Sequence, residues 1–182
     1  LLLFGGWDGS AFSASVFEYT PEEDRWQALN DMPTARGFAA AAVVAGRVFV
    51  IGGTDGRGPL DANEAYTPEA EAEENGGWSA AAPMPTPGAY VNAAVVADTI
   101  FVFGGDEQDK TSIRLGYSAA EDVWAELEAA PADSEAVRVG VAAIGPVVHL
   151  LGGQREAQPE TGHATYQALY VSFIPFVESG DR

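Results

Sequence analysis

The chain has 182 residues, 47% of them hydrophobic, which is enough for a packed core, and its lack of cysteine excludes disulfides and thiolate metal sites. Twenty-seven acidic against nine basic side chains give a net charge of −18, which repels nucleic-acid phosphates and anionic membranes. No apolar run reaches the roughly 18 residues that a membrane-spanning helix needs. We therefore predict neither nucleic-acid binding nor membrane insertion.

A di-glycine follows a short apolar run four times along the chain. The segments are LLLFGG, VFVIGG, IFVFGG and VHLLGG, and their second glycines are Gly6, Gly53, Gly105 and Gly153. A tyrosine follows 12 or 13 residues later in each unit, at Tyr19, Tyr66, Tyr117 and Tyr166. A tryptophan follows the first three tyrosines, at Trp26, Trp78 and Trp124. A period of about 50 residues built from short apolar runs indicates an array of similar sheets.

Each complete unit is predicted to hold four antiparallel strands. An apolar strand is joined by a two-residue turn to the strand that ends in Gly-Gly, and strands carrying tyrosine and tryptophan follow. The turns are Ala45-Gly46, Ala97-Asp98 and Gly145-Pro146, where glycine and aspartate accept positive φ at low cost. Alanine runs at 39–42 and 93–94 predict inner strands, where sheets converge. The glutamate-rich stretch 69–74 has no apolar face and is predicted to be a lengthened hairpin loop.

Proline-rich joints separate the units, because proline cannot extend a strand ladder. The joints lie at 30–34, 82–87 and 130–132. Repeated four-stranded units predict an all-β protein of the β-propeller type. We predict one propeller region over residues 1–182, with a partial blade at 1–30, blades at 36–83 and 88–130, and a last blade at 137–178.

These residues resemble kelch repeats, in which an apolar Gly-Gly run precedes a tyrosine, a tryptophan and a Met-Pro joint. The resemblance runs through GFAAAAVVAGRVFVIGGTDG, EAYTP and GGWSAAAPMP, and through YVNAAVVADTIFVFGGDEQ and GYSAAEDVWAEL. It implies a kelch-type β-propeller of about four blades, each a four-stranded antiparallel sheet. Kelch propellers usually have more blades, so the chain is expected to be part of a longer propeller. A closed four-bladed ring, or a ring completed by a second copy or another chain, is the alternative.

No pattern in the chain predicts catalysis, a cofactor or a metal site. The Gly-Gly pairs are not phosphate loops, since no Gly-Lys follows them. Two distant histidines, His149 and His163, make a poor transition-metal site, and no calcium-loop spacing occurs. The chain is expected not to be an enzyme. A sugar-acting enzyme resembling kelch mutarotases or lyases is the alternative, and it would use the residues Arg36, Asp55, Asp106 and His163.

Polar loops follow each Gly-Gly and are expected to share one face with the starts of the inner strands. In kelch domains that recognise peptides, arginines and polar residues line this face. The resemblance therefore implies the candidate partner-binding residues Arg36, Asp55, Arg57, Asp106 and Arg155. Two further candidates are Trp7, which binds if exposed and otherwise packs under its loop, and the loop residue His163. For Arg36 the alternative is a structural bond to a carboxylate or a loop carbonyl.

The sequence therefore predicts a non-catalytic binding or scaffold module for a protein partner or a glycan. A structural subunit of a larger extracellular assembly is a further alternative. The many alanines and the excess of arginine over lysine favour a bacterial source, and hence an extracellular or cell-surface location. The cytoplasm is the alternative location.

Overall fold

The computed structural model describes residues 1–105, 112–127, 137–156 and 158–168. Within these ranges the regular structure is almost entirely antiparallel β-sheet, and each sheet comes from one repeat unit. We call the described strands of the four successive units the first to fourth blades. No helix in the described part of the chain is long and apolar enough to cross a bilayer.

The strands follow one another in chain order. The first blade contains β1 (Leu2–Trp7), β2 (Phe12–Thr20) and β3 (Arg25–Leu29). The second contains β4 (Ala40–Val44), β5 (Arg47–Ile51), β6 (Asn63–Tyr66) and β7 (Trp78–Ala81). The third contains β8 (Val91–Val96), β9 (Thr99–Gly104), β10 (Ile113–Ser118) and β11 (Val123–Glu126). The fourth contains β12 (Gly140–Ile144) and β13 (Val147–Leu151), then a small hairpin of β14 (Gln154–Arg155) and β15 (Gln158–Pro159), and finally β16 (His163–Gln167), which pairs with β13.

The predicted hairpins occur where expected. Ala45 and Gly46, at φ of 50° and 77°, turn the chain from β4 to β5, and Ala97 at φ of 52° starts the same turn between β8 and β9. The lengthened loop after β6 is also present, and it contains one turn of 3₁₀ helix at Pro68–Ala70. The joint predicted at 130–132 and the end of the last predicted blade, from residue 169 to 178, lie outside the described residues.

Hydrophobic cores lie between neighbouring blades, because the side chains of each Gly-Gly strand alternate between its two faces. In β5, Val48 and Val50 pack toward the first blade, whereas Phe49 and Ile51 pack toward the third. Tyr66, Trp78 and Tyr117 are buried in these cores, but Trp26 of the first blade is 51% exposed. The blades are therefore held together by apolar side chains that the strand alternation directs to both faces.

A recurring three-residue contact, which we call the clasp, joins one blade to the preceding one. In the third blade the Tyr117 hydroxyl donates to Asp122 at 2.6 Å. The same Asp122 oxygen accepts the backbone N–H of Ala82 at 2.7 Å, and Trp124 Nε1 donates to the Ala82 carbonyl at 2.7 Å. The clasp thus bonds both the N–H and the carbonyl of Ala82, a residue in the joint between the second and third blades.

The second blade repeats the clasp with a glutamate. Glu71 accepts the Tyr66 hydroxyl at 2.7 Å and the backbone N–H of Asn30 at 2.6 Å. Trp78 Nε1 donates to the carbonyl of the same Asn30 at 3.3 Å. The first blade has the same three side chains, with Tyr19 donating to Asp24 at 2.8 Å and packing on Trp26, but no described residue occupies that clasp.

Asp122→Ala is expected to cost about 1–3 kcal/mol, since it removes a charge-assisted bond between two blades. Asp24→Ala is the matched control, because Asp24 also bonds a tyrosine and also has positive φ, 46° against 56° for Asp122. Urea unfolding should show a clearly smaller loss of unfolding free energy for Asp24→Ala than for Asp122→Ala. Equal losses would show that the bond to Ala82 does not stabilise the blade interface.

The clasp also predicts a pH dependence. The hydrogen bond from Tyr117, and then that from the Ala82 N–H, lowers the pKa of Asp122 below its usual range. Because this pKa is lower in the folded state, ionised Asp122 stabilises the fold at pH values above its unfolded-state pKa of about 3.9. The stability difference between wild type and Asp122→Ala should therefore be full near neutral pH and decline as the pH falls below about 4. A difference that grows on acidification would contradict this role.

Candidate functional site

The loops after Gly-Gly and the starts of the inner strands meet at one end of the second and fourth blades, as expected. In the second blade Gly37 and Thr54 exchange two backbone hydrogen bonds of 3.0 and 2.9 Å. Val137 and Gln154 exchange two bonds of 2.9 Å in the fourth blade. We call this end of the blades the loop face. Its two sets of loops are fixed to each other by backbone bonds and therefore form one surface.

Five side chains form a continuous line across the loop face, and we call this line the aromatic ladder. Its members, in spatial order, are Trp7, Phe12, Phe38, Tyr90 and Arg138. The ring centroids of Trp7 and Phe12 are 4.7 Å apart, those of Phe12 and Phe38 6.1 Å, and those of Phe38 and Tyr90 4.5 Å. The Arg138 guanidinium carbon lies 3.9 Å from the Tyr90 centroid. The ladder thus joins residues from all four blades.

Three ladder residues stand at one position of the repeat. Phe38, Tyr90 and Arg138 each lie 15 residues before the second glycine of their unit, next to an inner strand. Their φ angles are 57°, 54° and 55°, a left-handed conformation that costs a bulky residue about 1–2 kcal/mol. Strain of this kind concentrates at functional sites. The same strained backbone conformation therefore recurs under three side chains of the ladder.

The ladder leaves large rings in contact with solvent. Trp7 is 49% exposed and Phe38 is 44% exposed, while Tyr90 is half-buried. Adjacent exposed rings on a fixed backbone mark an interaction surface more strongly than scattered apolar side chains do. Aromatic and arginine side chains are also the usual anchors of protein interfaces.

Acidic loops flank the ladder. A Cβ added to Gly56 would lie 3.1 Å from the Phe12 ring, so the loop that carries Asp55 and Arg57 runs beside it. Asp55 accepts the backbone N–H of Arg57 at 2.8 Å. Asp8, the neighbour of Trp7, accepts bonds from the Ser10 and Ala11 backbones at 2.7 and 2.8 Å. Two carboxylates are therefore held in fixed turns close to ladder residues.

Comparison with known proteins identifies the repeat. The family model of the Kelch motif matches residues 1–33 and 35–85. The chain is 33% identical to Kelch-like protein 35 of Mus musculus over 157 residues, which cover 86% of this chain and 25% of that protein. The chain belongs to the kelch-repeat family. It is also 33% identical to Kelch-like protein 34 of Homo sapiens over 155 residues, or 84% of this chain and 24% of that protein.

A kelch relative of another kind is alpha-scruin of Limulus polyphemus, which is 28% identical over 151 residues, or 79% of this chain and 16% of that protein. The chain spans about a quarter or less of the length of these curated relatives. All three relatives come from eukaryotes, so they lend no support to the bacterial source that the composition favoured.

Arg36 of this kelch chain does not lie on the open loop face. Its side chain is 1% exposed and pairs with Glu64, with 2.5 Å between the guanidinium and carboxylate atoms. It also donates to the carbonyls of Gly52 and Ala62, each at 3.2 Å. Burial lowers the pKa of Arg36, and Glu64 opposes that effect. The structure thus places Arg36 in the alternative role weighed from the sequence, a structural bond to a carboxylate and to carbonyls, and a partner could reach it only by displacing these contacts.

The other candidates fall into two separate groups. Trp7, Asp55 and Arg57 lie on or beside the ladder. In the fourth blade Arg155 pairs with Glu160 at 3.5 Å, and His163 Nε2 lies 2.9 Å from His149 Nδ1. Asp106 is outside the described residues. Within the described ranges no three histidine, aspartate or glutamate side chains converge in a way that could hold a metal ion.

The sequence analysis named Trp7 as a candidate but missed the other four ladder members, Phe12, Phe38, Tyr90 and Arg138. Three of these, Phe38, Tyr90 and Arg138, could have been found, because aligning the units on Gly-Gly places them in register. Phe12 could not, because it begins β2 opposite Trp7 and meets Phe38 only through the packing of the first blade on the second.

Proposed function

We propose that this kelch chain is a non-catalytic module that binds a protein partner through the aromatic ladder. The observation that carries the proposal is the exposed line of rings held on strained backbone at one repeat position. A line that crosses four blades matches an extended polypeptide better than a compact substrate. A glycan could also stack on the rings, and the arginine at one end of the ladder favours a protein.

Selection from a library of displayed random peptides tests this function directly. Peptides selected on the wild-type chain should bind Phe38→Ala at least about tenfold more weakly, as expected for an interface anchor. Val123→Ala is the matched control, since Val123 is similarly exposed, 49% against 44%, but lies on the outer strand β11. The selected peptides should bind Val123→Ala and the wild-type chain with the same affinity. Selected peptides that bind all three proteins equally would refute the proposal, and circular dichroism would check that each variant is folded.

A structural subunit is a second candidate, favoured by the outer face of the first blade. Leu1, Leu3 and Trp26 are 75%, 52% and 51% exposed there, beside the clasp that no described residue occupies. Such a face invites association with another blade. Light scattering tests this function. If the face mediates assembly, the measured mass should rise with protein concentration, and Leu3→Glu should abolish that rise.

The contacts of the residues proposed for sugar chemistry do not favour an enzyme. Arg36 is buried in an ion pair, Asp55 bonds within its own loop, and His163 contacts His149. No substrate-facing pair of acid and base is formed among these described residues. An extracellular or cell-surface location, with the cytoplasm as the alternative, stays a prediction from composition.

A further inference from the structure

We propose that the Trp7 end of the ladder binds an arginine side chain of the protein partner. This inference rests on the proposed function and names the chemistry of the partner at one defined point. The guanidinium would lie over the exposed face of Trp7, and the carboxylate of Asp8 would pair with it.

The two ends of the ladder differ in one respect. At one end Arg138 covers the Tyr90 ring, with 3.9 Å from the guanidinium carbon to the ring centroid. At the other end Trp7 packs on Phe12 on one side and is 49% exposed. Tryptophan binds cations better than tyrosine or phenylalanine does. The open end is therefore the stronger cation site of the two, and the closed end shows that the ladder accepts a guanidinium.

The carboxylate next to Trp7 in the chain is that of Asp8. Backbone hydrogen bonds from Ala11 and Ser10 hold the Asp8 carboxylate in its turn and lower its pKa, so it is ionised at neutral pH. All of these bonds use Oδ1, and none to Oδ2 occurs among the described residues. A second carboxylate, that of Asp55, lies in the loop beside Phe12. The same loop carries one cation, the exposed Arg57, two residues after Asp55.

The charge of the whole chain acts in the same direction. With a net charge of −18, its field attracts basic segments over long range and speeds their encounter with the loop face. Arginine suits the site better than lysine, because its planar guanidinium can stack on an indole and bond a carboxylate through two N–H groups.

Nuclear magnetic resonance of the four tryptophan indole N–H groups tests the inference. The probes are the peptide acetyl-Gly-Arg-Gly-Arg-Gly-amide and the same peptide with citrulline, which has a similar shape without charge. The Trp7 signal, assigned by its loss in Trp7→Phe, should shift with the arginine peptide. The citrulline peptide should bind at least about fivefold more weakly. Trp26 is an internal control, since it is 51% exposed but lies outside the ladder.

Matched charge variants complete the test. Asp8→Asn keeps the turn, because the amide oxygen accepts the same bonds, and should weaken the arginine peptide several-fold. Asp24→Asn removes a charge near Trp26 and should not. Equal binding of the two peptides, equal shifts of Trp7 and Trp26, or an unaffected Asp8→Asn would each overturn the inference. If selected library peptides bind the ladder but carry no basic residue, this inference fails while the proposed function stands.

Discussion

Trp78→Ala is expected to destabilise the chain by about 3–5 kcal/mol, the cost of removing a large aromatic side chain from a packed core. Trp78 is 4% exposed and lies between two blades. Its ring contacts Tyr66 and Phe4 at centroid distances of 5.1 and 5.9 Å, and its Nε1 donates to the Asn30 carbonyl. The substitution removes both the apolar contact and the bond to the preceding blade. Chemical unfolding followed by circular dichroism measures the loss.

Trp26→Ala is the matched control for Trp78→Ala. Trp26 packs on its own tyrosine in the same way, with 4.9 Å between the ring centroids, but no described blade lies beyond it. A surface substitution of this kind should cost under about 1 kcal/mol. Trp124 is partly buried, and Trp124→Ala should fall between the two. Similar losses for all three would mean that burial between blades is not what makes the tryptophans stabilising.

Gly53→Val should prevent folding or give an insoluble protein. Gly53 has φ of 91°, which only glycine adopts without strain. A Cβ there would lie 2.6 Å from the Gly37 carbonyl oxygen and 2.9 Å from the Ala39 Cβ, distances that force the backbone of the inner strand to move. Soluble expression and circular dichroism are the measurements.

Gly6→Val is the control that has the backbone strain of Gly53→Val without its close contact. Gly6 stands at the same repeat position and has φ of 120°, but a Cβ there would meet nothing within 4 Å. Its variant should fold, with a loss of about 1–3 kcal/mol from the strained backbone alone. A folded Gly53→Val with a similar loss would show that the approach of Gly53 to the inner strand is not required.

The repeat predicted the blades because strand spacing, hairpin turns and Gly-Gly all recur at nearly constant distances. The repeat also indicates the acidic residue of the clasp, since Asp24, Glu71 and Asp122 each stand five residues after the tyrosine of their unit. Its partners could not be predicted, because Asn30 and Ala82 bond through the backbone and their side chains carry no common pattern.

The candidate site was predicted less completely. The loop face follows from the repeat, and Trp7 lies there with an exposed ring. Arg36 is adjacent in sequence to this face, yet its side chain turns inward because Glu64 and two carbonyls offer a buried site for its charge. In the ladder, the constant spacing from Gly-Gly indicates Phe38, Tyr90 and Arg138, whereas the contact between Phe12 and Phe38 depends on how the first blade packs on the second.

The most direct test of the aromatic ladder is the place where a selected peptide binds. A library peptide carrying a photoreactive benzoylphenylalanine can be crosslinked to the wild-type chain, and the crosslinked residues identified by mass spectrometry. We expect crosslinks at Trp7, Phe38 and Tyr90. Crosslinks confined to Leu1, Leu3 and Trp26 on the outer face of the first blade would contradict the account and assign the function to assembly.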